Sequence, residues 1–132
     1  KHVGTMQRLL EKSLAYARTR EAFGEKIGKY QAVAHKIVDM KIRLEASRLL
    51  VYKAASRLGK ARDVAIDASS VKVFVSEALV QAALDTVQIH GGNGYMAEYH
   101  VEQLARDAKV LQIYAGTDEI QISAIARDLL AR

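Results

Sequence analysis

Two short stretches of this sequence combine residues that suit the binding of an anionic or flat ligand. In "RTREAFG", Arg18 and Arg20 carry forked guanidinium groups that match a diphosphate, beside the aromatic Phe23. The same arginines would also complement the dipole at a helix end, so both interpretations stand. In "HGGNGY", the glycines let the backbone approach a ligand closely, while their spacing equally suits a helix end with a positive-φ turn.

A third stretch, "YAGTDEIQ", is typical of the start of a helix. Thr117 suits the N-cap position, and Asp118 and Glu119 suit the positive first turn. The free amides and the dipole of such a helix start also attract phosphate-bearing ligands. The stretch therefore fits a helix start that contacts a ligand, provided that both carboxylates turn away from it.

Other kinds of site are not indicated. The chain has no Cys, and His2, His35, His90 and His100 lack the spacing of a zinc motif, so no metal site is predicted. There is no Gly-x-Ser-x-Gly nucleophile elbow, which argues against a hydrolase. The net charge of +5 comes from basic residues scattered among acidic ones, so no nucleic-acid partner is predicted. With 50% hydrophobic and 27% charged residues and no long apolar run, the composition indicates a globular domain without a membrane span.

The elements that must position these stretches are predicted to be helices. The chain contains no Pro, and its apolar residues recur every three or four positions. We predict helices over residues 3–19, 31–58, 63–89, 101–110 and 117–131, with glycines in the connections. The expected fold class is all-α, an antiparallel four-helix bundle in which residues 1–132 form a single domain.

The third predicted helix is apolar on most sides. Its segment "VKVFV" alternates like a strand, but the surrounding alanines and the unbroken length favour a helix. Its formal charges form no single polar face; they are Asp67, Lys72, Glu77 and Asp85. We therefore expect a partner subunit or another domain to cover part of this helix.

Taken in order, the stretches resemble the C-terminal helical domain of the acyl-CoA dehydrogenases over essentially the whole chain. The segments that carry the resemblance are "TREAFGEKIGKYQAVAHKIVDM", "ALDTVQIHGGNGY" and "RDAKVLQIYAGTDEIQ". The resemblance implies an FAD-dependent enzyme that removes the α proton and a β hydride from an acyl-CoA thioester, leaving a trans-2-enoyl-CoA. It also implies electron-transferring flavoprotein as electron acceptor and a homo-oligomer built as a dimer of dimers. The parent would be cytoplasmic, or would lie in the mitochondrial matrix of a eukaryote.

The same resemblance makes residues 1–132 a fragment of a larger flavoenzyme. The family's N-terminal helical domain and its β domain have no counterpart in this sequence. The first residues, "KHVGTMQ", carry neither an initiating Met nor a secretory pattern, which agrees with an intracellular fragment. We expect the isolated domain neither to hold FAD stoichiometrically nor to reduce an electron acceptor.

The resemblance also implies the site residues. Arg20 and Gln31 would contact the pyrophosphate and adenosine side of FAD, and Phe23 would border it. Two further segments would approach the FAD of a neighbouring subunit, namely Gln88, Ile89, His90, Gly91 and Gly92, and then Thr117, Asp118 and Glu119. Ala115 and Gly116 would face the substrate.

Ala115 departs from the pattern of many family members, in which Glu at this position abstracts the α proton. A methyl group cannot accept a proton. Asp118 and Glu119 are poor substitutes because the positive end of a helix lowers the pKa of a carboxylate and weakens it as a base. Tyr114 would have to ionise far below its usual pKa of about 10. The chain is therefore predicted to contain no catalytic base.

Three explanations for Ala115 stay open. In the isovaleryl-CoA and long-chain branches of the family, the Glu stands near the start of this domain's first helix and the turn carries a small residue. That position lies about two helical turns before Val3, and we favour this explanation. Otherwise the parent is a base-less subunit of a mixed assembly, or its Glu was replaced deliberately. The alternative functions are a non-catalytic helical-bundle interaction module and a flavin oxidase with the same fold.

Overall fold

A computed structural model describes residues 1–59 and 64–131 of the chain. Between these bounds the protein is almost entirely helical, which confirms the all-α fold class. The helices are α1 (His2–Thr19), α2 (Gln31–Arg57), α3 (Val64–His90), α4 (Gly92–Tyr95), α5 (Val101–Lys109) and α6 (Asp118–Leu130). Asp63, the predicted first residue of the third helix, lies outside the described residues.

Helix α3 is the central element of the fold. It packs against α1, α2, α5 and α6, and its buried residues include Val75, Leu79 and Ile89. Small residues such as Ala82 and Ala83 are fully covered and let neighbouring helices approach closely. Its own chain covers much of α3, but Phe74 and Leu84 remain 38% and 52% exposed. The expected covering of this helix by a partner subunit or another domain therefore stays a prediction.

Three of the four charges on α3 are paired with other helices. Asp67 forms an ion pair with Arg57 of α2 at 2.7 Å, and Asp85 forms one with Lys36 of α2 at 2.5 Å. Lys72 pairs with Asp118 of α6 at 2.5 Å, whereas Glu77 is exposed to solvent. The charges point in different directions because each one that is paired faces a different part of the surrounding bundle.

The connection between α1 and α2 contains a small hairpin that the sequence did not reveal. Strands β1 (Glu21–Ala22) and β2 (Glu25–Lys26) pair antiparallel, with Glu21 opposite Lys26 and Ala22 opposite Glu25. A 3-10 turn over Ile27–Lys29 then leads into α2, and Ile27 is buried against the core. Of the "RTREAFG" stretch, Phe23 lies at the tip of this hairpin, whereas Arg18 belongs to α1 and Arg20 lies between α1 and β1.

Within the described part of the chain, no helix is both long enough and apolar enough to cross a membrane. The same residues contain no group of three His, Cys, Asp or Glu side chains that could hold a metal ion.

Candidate cofactor site

Arg20 is the residue at which the chain leaves α1 and enters the hairpin. Its backbone amide donates to the Tyr16 carbonyl at 2.8 Å, and its carbonyl accepts from the Ile27 amide at 2.9 Å. Its backbone is extended, which ends the helix. The side chain is exposed, and its guanidinium has no hydrogen-bond or ion-pair partner among the described residues. The structure therefore fixes the backbone of Arg20 and leaves the charge available to a ligand.

Phe23 occupies a strained position at the tip of the hairpin. Its φ of 53° lies in the left-handed region, which is uncommon for a bulky residue. The hydroxyl of Tyr30 holds this turn, because it donates to the carbonyls of Ala22 at 2.8 Å and Phe23 at 3.3 Å. The Phe23 side chain is 97% exposed, so the strain presents an aromatic ring to the surroundings of the chain.

The glycines of "HGGNGY" differ in what they do. Gly91 ends α3 with a φ of 58°, which favours glycine. Gly94 is needed for packing, because a methyl group there would lie 2.4 Å from the Val87 carbonyl oxygen. Gly92 begins α4 with an ordinary φ, and a methyl group on either Gly91 or Gly92 would meet no atom within 4 Å. The positive φ therefore explains Gly91 and packing explains Gly94, whereas neither explains Gly92.

An aromatic pair supports the end of α3. The rings of Tyr16 and His90 stack with centroids 4.2 Å apart, and Tyr99 meets both edge-on. The Nδ1 of His90 lies 2.8 Å from the Thr86 carbonyl, which can only accept, so Nδ1 carries the proton and Nε2 is an acceptor. Burial lowers the pKa of His90 most, the nearby Lys12 lowers it further, and the hydrogen bond to the Thr86 carbonyl opposes both. The ring is accordingly held in its neutral form.

These elements enclose a cavity of about 300 Å³ between the end of α1 and the end of α3. It brings together five of the predicted cofactor contacts, which are Arg20, Ile89, His90, Gly91 and Gly92. Its remaining lining residues are Tyr16, Ile27 and Asn93. Phe23, Gln31 and Gln88 lie outside this lining, and all three are exposed.

Sequence reasoning missed Tyr16 and Asn93 as parts of this cavity. The Asn93 amide donates to the Tyr16 hydroxyl at 2.9 Å and so links α4 to α1. A signal existed for Tyr16, because it stands one helical turn before Arg20 and therefore lies on the same face of α1. Asn93 stands inside the "HGGNGY" stretch, but nothing local indicates that its side chain turns toward α1.

The second candidate region is the turn that precedes α6. Ala115 and Gly116 both have positive φ, at 56° and 85°, so a non-glycine residue adopts a left-handed conformation here. The Gln121 side-chain amide donates to the Ala115 carbonyl at 3.3 Å. The Thr117 hydroxyl accepts from the Ile120 amide at 3.4 Å, which confirms the predicted N-cap. Ala115 is exposed.

The two acidic residues of this turn point in different directions. The Asp118 carboxylate turns inward and accepts from Lys72 at 2.5 Å and from Ser76 at 3.0 Å. Glu119 is exposed, and its pKa is lowered first by a hydrogen bond from its own backbone amide and then by one from the Thr117 hydroxyl. Asp118 therefore points away from any ligand in front of the turn, whereas Glu119 remains at the helix start.

A larger cavity of about 600 Å³ connects this turn to the start of α1. Tyr114 lines it on one side, and Lys1, His2 and Thr5 line it on another. Apolar residues of α3 and α5, including Leu79 and Leu104, form much of the remaining wall. The first turn of α1 and Tyr114 thus share one cavity although they are far apart in sequence, whereas Ala115 and Gly116 are not among its lining residues.

The fold and these two regions define an all-α domain with a basic and aromatic cavity at one place and a strained helix-start turn at another. The family described as the C-terminal domain of acyl-CoA dehydrogenase matches residues 1–130. The chain therefore belongs to the acyl-CoA dehydrogenase C-terminal domain family, as the resemblance predicted.

Individual relatives agree with this family. An acyl-CoA dehydrogenase of Bacillus subtilis (strain 168) is 48% identical over 128 residues, which are 97% of this chain and 34% of the relative. A subunit of the caffeyl-CoA reductase-Etf complex of Acetobacterium woodii is 41% identical, over 98% of this chain and 34% of the relative. The solved FAD complex of PigA is 38% identical with a TM-score of 0.92, over 97% of this chain and 33% of that chain. The chain thus spans about a third of the length of these proteins.

Proposed function

We propose that this chain is the FAD-contacting helical domain of a larger acyl-CoA dehydrogenase. The parent would remove the α proton and a β hydride from an acyl-CoA thioester and form a trans-2-enoyl-CoA. The sequence relatives, the FAD complex among the related structures and the geometry of the 300 Å³ cavity support this proposal. In this proposal residues 1–132 form one domain, and the remaining two-thirds of the enzyme supply the other walls of the active site.

The observation that carries the proposal is the arrangement of Arg20 and Gly92 around one cavity. Arg20 offers a guanidinium that no described residue pairs, and such a group binds diphosphate oxygens through charge-assisted hydrogen bonds. Neither the backbone conformation nor the packing within this chain requires glycine at position 92. The missing side chain of Gly92 therefore leaves room for something outside this chain. A diphosphate-bearing ligand accounts for both features, which is why FAD fits these residues.

Each predicted contact has a distinct task in this arrangement. Arg20 would neutralise the diphosphate, Gly91 and Gly92 would admit the ligand close to the backbone, and neutral His90 would offer an acceptor without adding charge. Phe23, Gln31 and Gln88 would extend the contact along exposed surface, and Thr117, Asp118 and Glu119 would approach through the backbone of the α6 start. When bound, FAD would supply the acceptor for the hydride.

The catalytic base of this proposal lies outside the chain. A Glu about two helical turns before Val3 would extend the line of α1 toward the cavity that Tyr114 also lines. The shared cavity supports this placement, since the first turn of α1 and Tyr114, the residue before Ala115, line the same space. Ala115 would leave room for the substrate instead of abstracting its proton.

Arg20→Ala in the complete flavoprotein tests the cofactor site. We expect the FAD dissociation constant to rise by about 10- to 100-fold, because a charge-assisted hydrogen bond contributes about 1.5–3 kcal/mol. The matched control is Arg18→Ala, since Arg18 is also exposed but lines a different groove. Equal FAD affinity of the two variants, measured by flavin fluorescence, would contradict the assignment of Arg20.

The base is tested by exchange of the substrate α proton. Replacing the upstream Glu by Gln should slow α-proton exchange by about 10²- to 10⁴-fold, the usual contribution of a general base. Ala115→Gly removes no titratable group, so we expect exchange to continue in that variant. Undiminished exchange after loss of the upstream Glu would place the base elsewhere.

The proposal includes a homo-oligomer, built as a dimer of dimers, and electron transfer to electron-transferring flavoprotein in the cytoplasm or the mitochondrial matrix. Exposed apolar residues form one stripe along α2 and support self-association; they are Val38, Ile42, Leu49 and Tyr52. The same stripe favours the second candidate function, a non-catalytic interaction module. Analytical ultracentrifugation of the complete protein and of its Leu49→Glu variant, with FAD content measured in parallel, separates an FAD-loaded oligomer from an FAD-free module.

A further inference from the structure

The start of α6 is joined to the middle of α3 by a shielded ion pair. The side chains of Lys72 and Asp118 are only 17% and 14% exposed, and their charged atoms lie 2.5 Å apart. Ser76, which is fully buried, donates to both oxygens of Asp118 at 3.0 Å. Asp118 is the first residue of α6, so this pair fixes the point at which the helix begins.

Helix α6 packs along α3, but its own side chains are only partly buried. Helix α6 has no fully buried residue, and several of its apolar side chains are more than half exposed, including Ile120 and Leu129. The local hydrogen bonds of the turn are long, at 3.3 Å from Gln121 to Ala115 and 3.4 Å from Ile120 to Thr117. Among these contacts, the bond between Lys72 and Asp118 is the shortest, and it connects the turn to the core.

The turn also needs an external constraint. Ala115 adopts a left-handed conformation that is unfavourable for a residue with a side chain, and Gly116 follows it with positive φ. Such backbone persists only where the surrounding structure holds it. Asp118 lies three residues after Ala115 and provides that hold through its bond to the central helix.

We propose that Lys72 and Asp118 form a clamp that positions the Ala115–Gly116 backbone against the substrate. This inference rests on the proposed function, in which that backbone faces the acyl thioester. In this proposal Asp118 is a positioning residue, and its side chain does not contact the cofactor. Lys72, which sequence reasoning treated only as a scattered charge, acts through Asp118.

A second ion pair of α3 serves as the control. Lys36 and Asp85 also lie 2.5 Å apart, and the Asp85 side chain is 6% exposed. This pair joins α3 to α2, and neither residue lines the cavity beside Tyr114. Breaking it should therefore cost stability without moving the turn.

The experiment uses the complete FAD-loaded enzyme and three variants, Asp118→Asn, Lys72→Arg and Asp85→Asn. The first readout is the rate of flavin reduction at saturating acyl-CoA, followed by flavin absorbance. We expect Asp118→Asn to slow reduction by about 10- to 100-fold with unchanged FAD content, because small displacements of a positioned group have effects of this size. Lys72→Arg keeps the charge and should stay within about threefold, and Asp85→Asn within about twofold. Equal rates for Asp118→Asn and Asp85→Asn would overturn the clamp.

A second readout does not depend on the reaction. Hydrogen–deuterium exchange of the segment 113–119 should rise in Asp118→Asn and stay unchanged in Asp85→Asn. If no acyl-CoA reduces the flavin of the unmodified enzyme, the proposed function fails while this readout still decides the clamp. Equal exchange in the unmodified enzyme and Asp118→Asn would overturn the clamp and leave the proposed function standing.

Discussion

Two turns of this domain carry the predicted contacts, and they are held by different means. The turn after α3 is held locally, because Gly91 supplies the positive φ and Gly94 fits directly against the Val87 carbonyl. The turn before α6 places a positive φ on Ala115, and a side chain of the adjoining helix, Asp118, holds it from a distance. The first turn is therefore robust and specified by its glycines, whereas the second depends on tertiary contacts.

The largest effect is expected at Gly94. Gly94→Ala would place a methyl group 2.4 Å from the Val87 carbonyl oxygen, so backbone must move. We expect the free energy of unfolding to fall by about 3 kcal/mol, near the upper end for overpacking. Gly92→Ala is the control in the same turn and should change it by less than about 0.5 kcal/mol, since the added methyl meets open space. Urea denaturation measures both, and similar losses would show that the first turn is not specified by packing at Gly94.

The second turn is tested at its N-cap. Thr117→Ala removes the acceptor for the Ile120 amide and should lower the free energy of unfolding by about 1 kcal/mol. Thr19→Ala is the matched control, because its hydroxyl donates to a carbonyl at the end of α1 and caps no amide. Denaturation curves that coincide for the two variants would mean that Thr117 contributes nothing to the start of α6.

The first turn should also respond to acid through His90. Burial lowers the pKa of His90, so the unfolded chain takes up a proton at a higher pH than the folded chain does. Stability is therefore complete above the ordinary pKa of about 6.5 and falls as the pH decreases toward the lowered value.

His90→Gln should remove part of that decline, measured as the free energy of unfolding at several pH values. His2, whose pKa is also lowered mainly by burial, should supply a remaining slope of the same sign. His100→Gln replaces an exposed histidine and serves as the control. An unchanged slope in His90→Gln would show that the neutral ring is not stabilising the first turn.

The smallest effect is expected at Ala115. Ala115→Gly relieves a left-handed conformation that costs an L-residue about 1–2 kcal/mol, and it adds about 0.5–1 kcal/mol of backbone entropy cost. The net result should be a gain of about 0.5 kcal/mol in the free energy of unfolding. Ala126 is exposed and lies away from both ends of α6, so Ala126→Gly should instead lower the free energy of unfolding by about 1 kcal/mol. A loss at both positions would mean that the turn is not strained.

The helices could be predicted closely from sequence. The predictions over residues 31–58 and 101–110 differ by one residue from α2 (Gln31–Arg57) and α5 (Val101–Lys109). The hairpin at Phe23 was missed because two-residue strands leave no periodic signal. The prediction of Thr117 as N-cap is confirmed, because capping depends only on that residue and the three that follow it.

The residue types and their order determine the all-α class, the helix bounds, the caps and the absence of a base at Ala115, since these are local properties of a chain. Only the tertiary structure decided that much of α3 is covered by its own chain. The same is true of the contact between Tyr16 and Asn93, and of the direction in which the Asp118 carboxylate points. Those contacts join residues between 42 and 77 positions apart, and such pairs depend on how helices pack and not on their individual patterns.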